Sequence, residues 1–393
     1  AEGQWLKQLD MSPYAGSMYH GSPLLLQILG PLTVSMRTTK GASLQFGFFF
    51  VDFLAALLLR RIGYILQLAH MRSITSLDLS KSIQMPGNLV AGDVAALVYL
   101  WNPLGIASCV GASMSSIENI MILLALYGAS TRNTPLAAFG WVTSTHLALY
   151  PAILVIPVIF LLGYGPDTPP RKLFRELKQL GESTLDSAAP SDPSCGKGGT
   201  ENIHSGCCQY DFSWKPVMHF ILWSAIWWMH ILGLCSISLR HHGGLREMFK
   251  ETYGFILTVE DLSPNLGLFW YFFTEVFDFF RVFFLLVFHA NVLFMVMPMT
   301  IRLNHRPCFL AFSFVAITSM LKSYPSFGDS ALYIGLLALF VHELAGMRFS
   351  FFLLNGFTGI ALLSPVMYNL WIWRGTGNAN FYFATALAYA SFE

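Results

Sequence analysis

The stretch from 280 to 301 carries one strong charge, Arg281, and is otherwise dense in Phe, Leu, Val and Met. A helix needs about 20 consecutive apolar residues to cross the hydrocarbon core of a bilayer, and this run supplies them. In lipid the backbone must satisfy its own N–H and C=O groups, so such a run folds as a helix. Similar runs recur at 43–59, about 89–107, 135–163, 216–238, 308–321, 330–347 and 350–372, with another beginning near Phe381. Only 11% of the residues are charged, where a soluble domain carries about 25%. The chain therefore reads as an all-α polytopic membrane protein of about ten spans. It opens at Ala1 and stops at Glu393 inside an apolar run, so a further span is expected at either end. A net charge of +1 excludes a strongly basic nucleic-acid binder.

Polar punctuation divides the chain. Residues 1–42 hold a turn-rich loop and a short apolar helix, Leu24 to Val34, which is too short to span and reads as interfacial. Residues 43–164 form a first transmembrane half. It has Asp52 inside its first span, a stop at Arg60–Arg61, an interruption at Asn102–Pro103 and a hinge at Tyr150–Pro151. Proline inside a helix frees a carbonyl, which Asn102 or a neighbouring helix must satisfy. Residues 165–215 are hydrophilic, basic at first and then rich in Ser, Gly and Pro from Gly181 to Gly206. That composition buries no core, so a partly disordered linker is expected. Residues 216–393 form a second transmembrane half with polar loops at 240–266, 322–329 and 373–380.

Basic residues concentrate at Arg60, Arg61, Arg72 and Lys81, in the 165–215 loop, at Arg302 and Arg306, and at Arg348. The positive-inside rule makes that side cytoplasmic. Counting spans then puts 1–21, 240–266, 322–329 and 373–380 together on the opposite face, provided that 135–163 crosses twice.

The most suggestive residues lie on that face. Asp261 to Phe277 reads DLSPNLGLFWYFFTEVF: a turn with Pro264, Asn265 and Gly267, then an aromatic block containing Trp270. Aromatic belts mark the water–lipid boundary. Lys322 to Asp329 offers a donor and an acceptor, which suits either an anionic or sugar-like ligand or plain interfacial anchoring. Trp371 to Phe381 sets two amides, Asn378 and Asn380, beside tryptophans and flexible glycines. Amides both donate and accept and suit hydroxyl-rich ligands; the alternative is that Asn380 caps the next helix. Asp52, Glu275, Asp278 and Arg281 are intramembrane or rim charges, costly unless paired, and are expected to pair within the bundle. His146, His289 and His342 read as core hydrogen-bonders. The six cysteines lack zinc-ligand spacing, and neither a metal nor a cofactor is expected. The chain carries no HExxH, GxSxG or P-loop, so it does not read as an enzyme by itself.

Long ordered stretches give the chain a resemblance to the PIG-U family of endoplasmic-reticulum GPI transamidase subunits. They are SPYAGSMYHGSPLL (12–25), Asp52, WNPLGIASCVGAS (101–113), HLALYP (146–151), YGFIL…DLSPNLGLFWYFFTEVF (253–277), LKSYPSFGDSALY (321–333) and LWIWRGTGNANFYF (370–383). The resemblance implies a GT-C-like transmembrane bundle with short lumenal interfacial helices, in the endoplasmic reticulum membrane. It also implies a non-catalytic role, with catalysis in a separate cysteine-protease-like subunit. The partners implied are other transamidase subunits, the GPI lipid and the hydrophobic C-terminal signal of proproteins. Asn378 and Asn380 match family positions near the GPI-binding cavity, followed in interest by Asp261, Asn265, Trp270, Lys322 and Asp329. The alternative is an active GT-C mannosyltransferase using dolichol-phosphate-mannose. That chemistry calls for a spaced acidic pair ahead of the SPY element, where this sequence has Glu2 and Asp10.

Overall fold

The computed structural model describes residues 2–35, 42–76, 90–166 and 212–392, and every regular element within them is helical. Most of the hydrophilic 165–215 segment, with Lys81, Cys195, Cys207 and Cys208, lies outside the described residues. The elements are α1 (Glu2–Gln8), α2 (Pro23–Ser35), α3 (Ala42–Ser76), α4 (Ala91–Trp101), α5 (Pro103–Val110), α6 (Ser115–Ser130), α7 (Thr134–Ala148), α8 (Val155–Tyr164) and α9 (Trp214–Ser238). There follow α10 (Gly244–Met248), α11 (Phe255–Thr258), α12 (Phe269–Glu275), α13 (Asp278–Leu303), α14 (Pro307–Leu321), α15 (Phe327–Ala338), α16 (Val341–Leu344), α17 (Ser350–Tyr368) and α18 (Ala379–Phe392).

Among the described residues three helices are long and apolar enough to cross a membrane: α9, α13 and the continuous Ser350–Trp373. The α4–α5 pair passes the same test jointly but bends by 51°. Shorter apolar helices fill the space between: α6, Tyr150–Tyr164, α14 and α15. The helix that carries Asp52 continues past Arg60–Arg61 to Ser76 as α3. Arginine is a good helix former, and Arg60 finds a carboxylate on α4, with Nε 2.5 Å from Asp93 Oδ1. The run expected at 330–347 breaks after Ala338. The chain turns there and α16 carries Glu343 to Arg306, whose guanidinium also lies over Phe309 and Phe340.

Both proline-marked breaks occur where the residues call for them. At the first, Asn102 Oδ1 accepts from the N–H of Leu104 at 3.0 Å, and Pro103 starts α5 at a position that needs no donor. At the second, α7 ends at Leu149, which adopts φ 62°, and a 3₁₀ turn over Tyr150–Leu154 leads into α8.

The main core joins α3, α4, α6, α7, α8, α14 and α15 through small and aliphatic side chains such as Ala55, Ala129, Ala137 and Leu310. Here α6 and α7 pack backbone to backbone. A Cβ added at Gly128 would lie 2.5 Å from the amide nitrogen of Ala137, and one at Gly140 would lie 2.5 Å from that of Ala125. Small residues are what allow transmembrane helices this approach. Gly140→Val is therefore expected to force α6 and α7 apart and to cost about 1–3 kcal/mol, the usual range for overpacking. A thermal melt of the purified protein, compared with Gly233→Val where a Cβ would meet nothing within 4 Å, checks this.

Candidate functional site

Four polar segments far apart in sequence meet at one end of the bundle. The ring of His20 stacks on Phe255 at 3.5 Å between centroids, and Phe255 stacks on Tyr324 at 4.9 Å. Ser12 Oγ donates to Glu247 at 2.7 Å. Ser22 shares a hydrogen bond with His146, which also meets the hydroxyl of Tyr253. The hydroxyl of Tyr324 accepts from the N–H of Asp261 at 3.0 Å, and burial pushes its pKa up to about 12. Gly267 closes onto Pro325, which would lie 2.8 Å from a Cβ at that position. The N-terminal loop, the 240–266 segment and the 322–329 segment thus form one surface.

The fourth segment joins it through aromatic rings. Trp270, 3% exposed on α12, stacks on Trp371 at 5.8 Å and lies 6.0 Å from the ring of Tyr382. Its neighbour Tyr271 stacks on Phe383 at 4.5 Å and donates its hydroxyl to Asn380 Oδ1. A π-helical turn over Asn369–Trp373 ends α17, and Gly375 follows with φ 64°, a conformation that favours glycine. The chain then re-enters helix at α18. Asn378 Oδ1 accepts from the N–H of Phe381 at 3.1 Å, so Asn378 is the capping residue. The alternative in which Asn380 caps the helix does not hold: Asn380 sits one residue inside α18 and its side chain meets Tyr271. Both amides are exposed, and both have their oxygens engaged while their NH₂ groups are unpartnered among the described residues.

Asp261 and Asn265 shape the turn that precedes Trp270. The Asp261 carboxylate accepts from the N–H and hydroxyl of Ser263 at 2.8 and 2.9 Å, and Asn265 Oδ1 accepts from the N–H of Gly267 at 2.7 Å. Such bonds let a short polar side chain imitate a backbone turn.

Lys322 and Asp329 are drawn inward. Lys322 Nζ donates to Glu118 Oε2 at 2.9 Å and to Asp329 Oδ1 at 3.2 Å, and all three side chains are at most 16% exposed. Asp329 also accepts from the N–H of Ser326, completing a capping box that starts α15. Burial alone would push the lysine pKa down. Its two carboxylate neighbours outweigh that and hold it above its ordinary value, so Lys322 stays charged.

The rim charges divide. Arg281 donates to the carbonyl of Val259 at 2.7 Å and lies over the ring of Phe273, tying α13 to the end of α11. Glu275 and Asp278 are exposed, and no ion pair involves them among the described residues. Asp52 accepts from Tyr99 and Ser116 inside the bundle. Glu2 accepts from the N–H of Met18 at 2.8 Å, bracing the N-terminal loop. No group of three His, Cys, Asp or Glu among the described residues could hold a metal ion.

A family model described as "PIG-U: GPI transamidase subunit PIG-U" matches residues 1–389. The chain belongs to the PIG-U family. It is 30% identical over 99% of its length to the "GPI-anchor transamidase component PIGU" of Homo sapiens, covering 80% of that protein. It is 26% identical, again over 99% of its length, to the "GPI transamidase component GAB1 homolog" of Schizosaccharomyces pombe, covering 79% of it. In this PIG-U chain the residues missed by sequence reasoning are those supplied from a distance. They are Glu118, which neutralises Lys322 across 204 positions, and Tyr271, which reaches Asn380 across 109. Glu118–Asn119 at the head of an apolar helix was the available signal, since a carboxylate there demands a partner.

Proposed function

We propose that this chain is a non-catalytic subunit of the GPI transamidase in the endoplasmic reticulum membrane. In this reading it is a GT-C-like multi-span bundle that helps to hold the GPI lipid, the hydrophobic attachment signal or both. The observation that carries the reading is the turn at Asn378 and Asn380. Two exposed amides carry N–H donors that are unpartnered among the described residues, next to the ring cluster of Trp270, Trp371 and Tyr382. Amide donors beside aromatic rings at the end of a membrane helix fit a phosphorylated, hydroxyl-rich glycan anchored in lipid. Asp261 and Asn265 fix the turn that positions Trp270, while Lys322 and Asp329 hold the neighbouring loop in place.

Asn378 has two roles, and two substitutions separate them. Asn378→Ala removes the cap, at a cost of about 0.5–2 kcal/mol; Asn378→Asp keeps the capping oxygen and removes the donor. The Asn378→Asp, Asn380→Ala pair is expected to lower surface display of a GPI-anchored reporter several-fold in cells lacking the endogenous subunit. Co-purification of the other transamidase subunits should be unchanged. Unchanged display would leave capping and the Tyr271 contact as the whole purpose of these amides and overturn the reading.

A further inference from the structure

A second polar site lies inside the bundle and shares no lining residue with the amide turn. Between α3, α4, α5, α6 and α15 is a cavity of about 590 Å3, within the range of a pocket for one small ligand, about 300–1,000 Å3. Its mouth is apolar: Phe46, Phe49, Ile106 and Val110 line it and are each at least 51% exposed. Its floor is polar, with Asp52, Tyr99, Ser116 and Asn119.

The floor has a definite polarity. Asp52 Oδ1 accepts from the hydroxyl of Tyr99 and Oδ2 from that of Ser116, each at 3.0 Å. The Cys109 thiol is a third hydrogen-bond partner of the same carboxyl group. A carboxylate has about four lone-pair sites, so these three bonds orient it and leave limited acceptor capacity toward the cavity. The Tyr99 oxygen in turn accepts from Asn119 Nδ2, which also donates to the carbonyl of Gly328 at 2.9 Å. Tyr99, Ser116 and Asn119 thus direct their hydrogens within the protein. Ser108 Oγ lines the cavity without a partner among the described residues and can donate or accept, and the one carboxyl group among the lining residues is the acceptor Asp52. When ionised, a carboxylate at that position repels phosphate and attracts a hydroxyl or an ammonium group. An acceptor at the bottom of an apolar-mouthed cavity is a costly feature in a membrane protein unless something donates to it.

We propose that this cavity binds one lipid molecule whose head carries a hydrogen-bond donor, a hydroxyl or a protonated amine, with the head at Asp52 and the chain leaving between Phe49 and Ile106. The site is separate from the proposed contact with GPI and does not depend on it. Its acceptor character selects against the phosphates that the Asn378 and Asn380 donors would favour.

Cys109 provides the probe, because its thiol lines the same cavity beside Asp52 and is partly exposed; protection is compared within each variant, since Asp52→Asn changes the reactivity of the thiol itself. The transamidase complex in lipid nanodiscs would be treated with N-ethylmaleimide, and modification of the Cys109 peptide followed by mass spectrometry, with buried Cys235 and Cys308 as internal references. Three additives with one chain and three heads would be compared: oleyl alcohol, oleylamine and methyl oleate. A hydrogen bond to a charged group is worth roughly 1.5–3 kcal/mol, so the alcohol or the amine should protect Cys109 at a concentration about tenfold below that of the ester. Stronger protection by the amine identifies an ammonium head, and equal protection by alcohol and amine a hydroxyl-type site. Asp52→Asn should remove any preference for the amine over the alcohol. Equal protection by all three additives would reduce the cavity to an unspecific apolar groove. Failure of Cys109 to react without additive, together with its crosslinking to another polypeptide, would assign the space to a protein segment. Either result overturns the proposal, and neither depends on the variant.

Discussion

Lys322→Met should strip the protein of much of its stability. The substitution leaves Glu118 and Asp329 facing each other in a buried site with no cation, and breaking a buried ion pair in this way costs about 3–5 kcal/mol. Size-exclusion profiles and thermal melts in detergent should show an unstable, poorly recovered protein. The triple variant Lys322→Met, Glu118→Gln, Asp329→Asn tests the cause, because removing every charge together removes the repulsion. It should recover most of the melting temperature, although an amide at the third position of α15 completes the capping box less well than the native carboxylate. If the single variant melts like wild type, the triad is not what anchors the 322–329 segment. The contribution of Lys322 should not vary with pH near neutrality. Its pKa is raised on folding, so its stabilisation is fully present below the ordinary lysine value of about 10.4 and is lost only above it.

The second large effect is expected at Trp270. Trp270→Ala removes a buried ring from between α12 and the Trp371–Tyr382 wall, and large aromatic-to-alanine changes cost about 3–5 kcal/mol. It should also lower GPI attachment, because the Asn380 amide is held by the adjacent Tyr271. Trp270→Phe is the informative comparison. The indole N–H is buried without a partner among the described residues, so phenylalanine loses volume but also removes an unsatisfied donor. It should retain most of both stability and attachment. Equal loss for Phe and Ala would mean that the indole nitrogen has a partner in the assembled complex.

What could be read from the residues was local. Asn102–Pro103 and Tyr150–Pro151 mark breaks because proline and its neighbour act on their own backbone, and both breaks are present. The long apolar run at 280–301 is likewise a helix, Asp278–Leu303. What could not be read was decided by partners remote in sequence. Arg60–Arg61 closes the apolar run, and how far the helix continues beyond it, to Ser76 beside Asp93 of α4, is not written in that run. Lys322 and Asp329 resemble open ligand contacts, yet Glu118 closes them into a triad. Asn378 and Asn380 are equally able to cap a helix; which of them does so depends on where α18 begins and on Tyr271 from another segment.

The separation of Glu118 from Lys322 has a consequence during biosynthesis. The two residues are 204 positions apart, and a ribosome adds about 5–20 residues per second. Glu118 therefore enters the membrane roughly 10–40 s before the cation that neutralises it has been made. Until then the nascent protein carries an uncompensated carboxylate at the head of an apolar helix, a state that a chaperone can shield or a degradation system can detect. A chain truncated before Lys322 never leaves that state, so the same contact that locks the finished loop also marks the unfinished product.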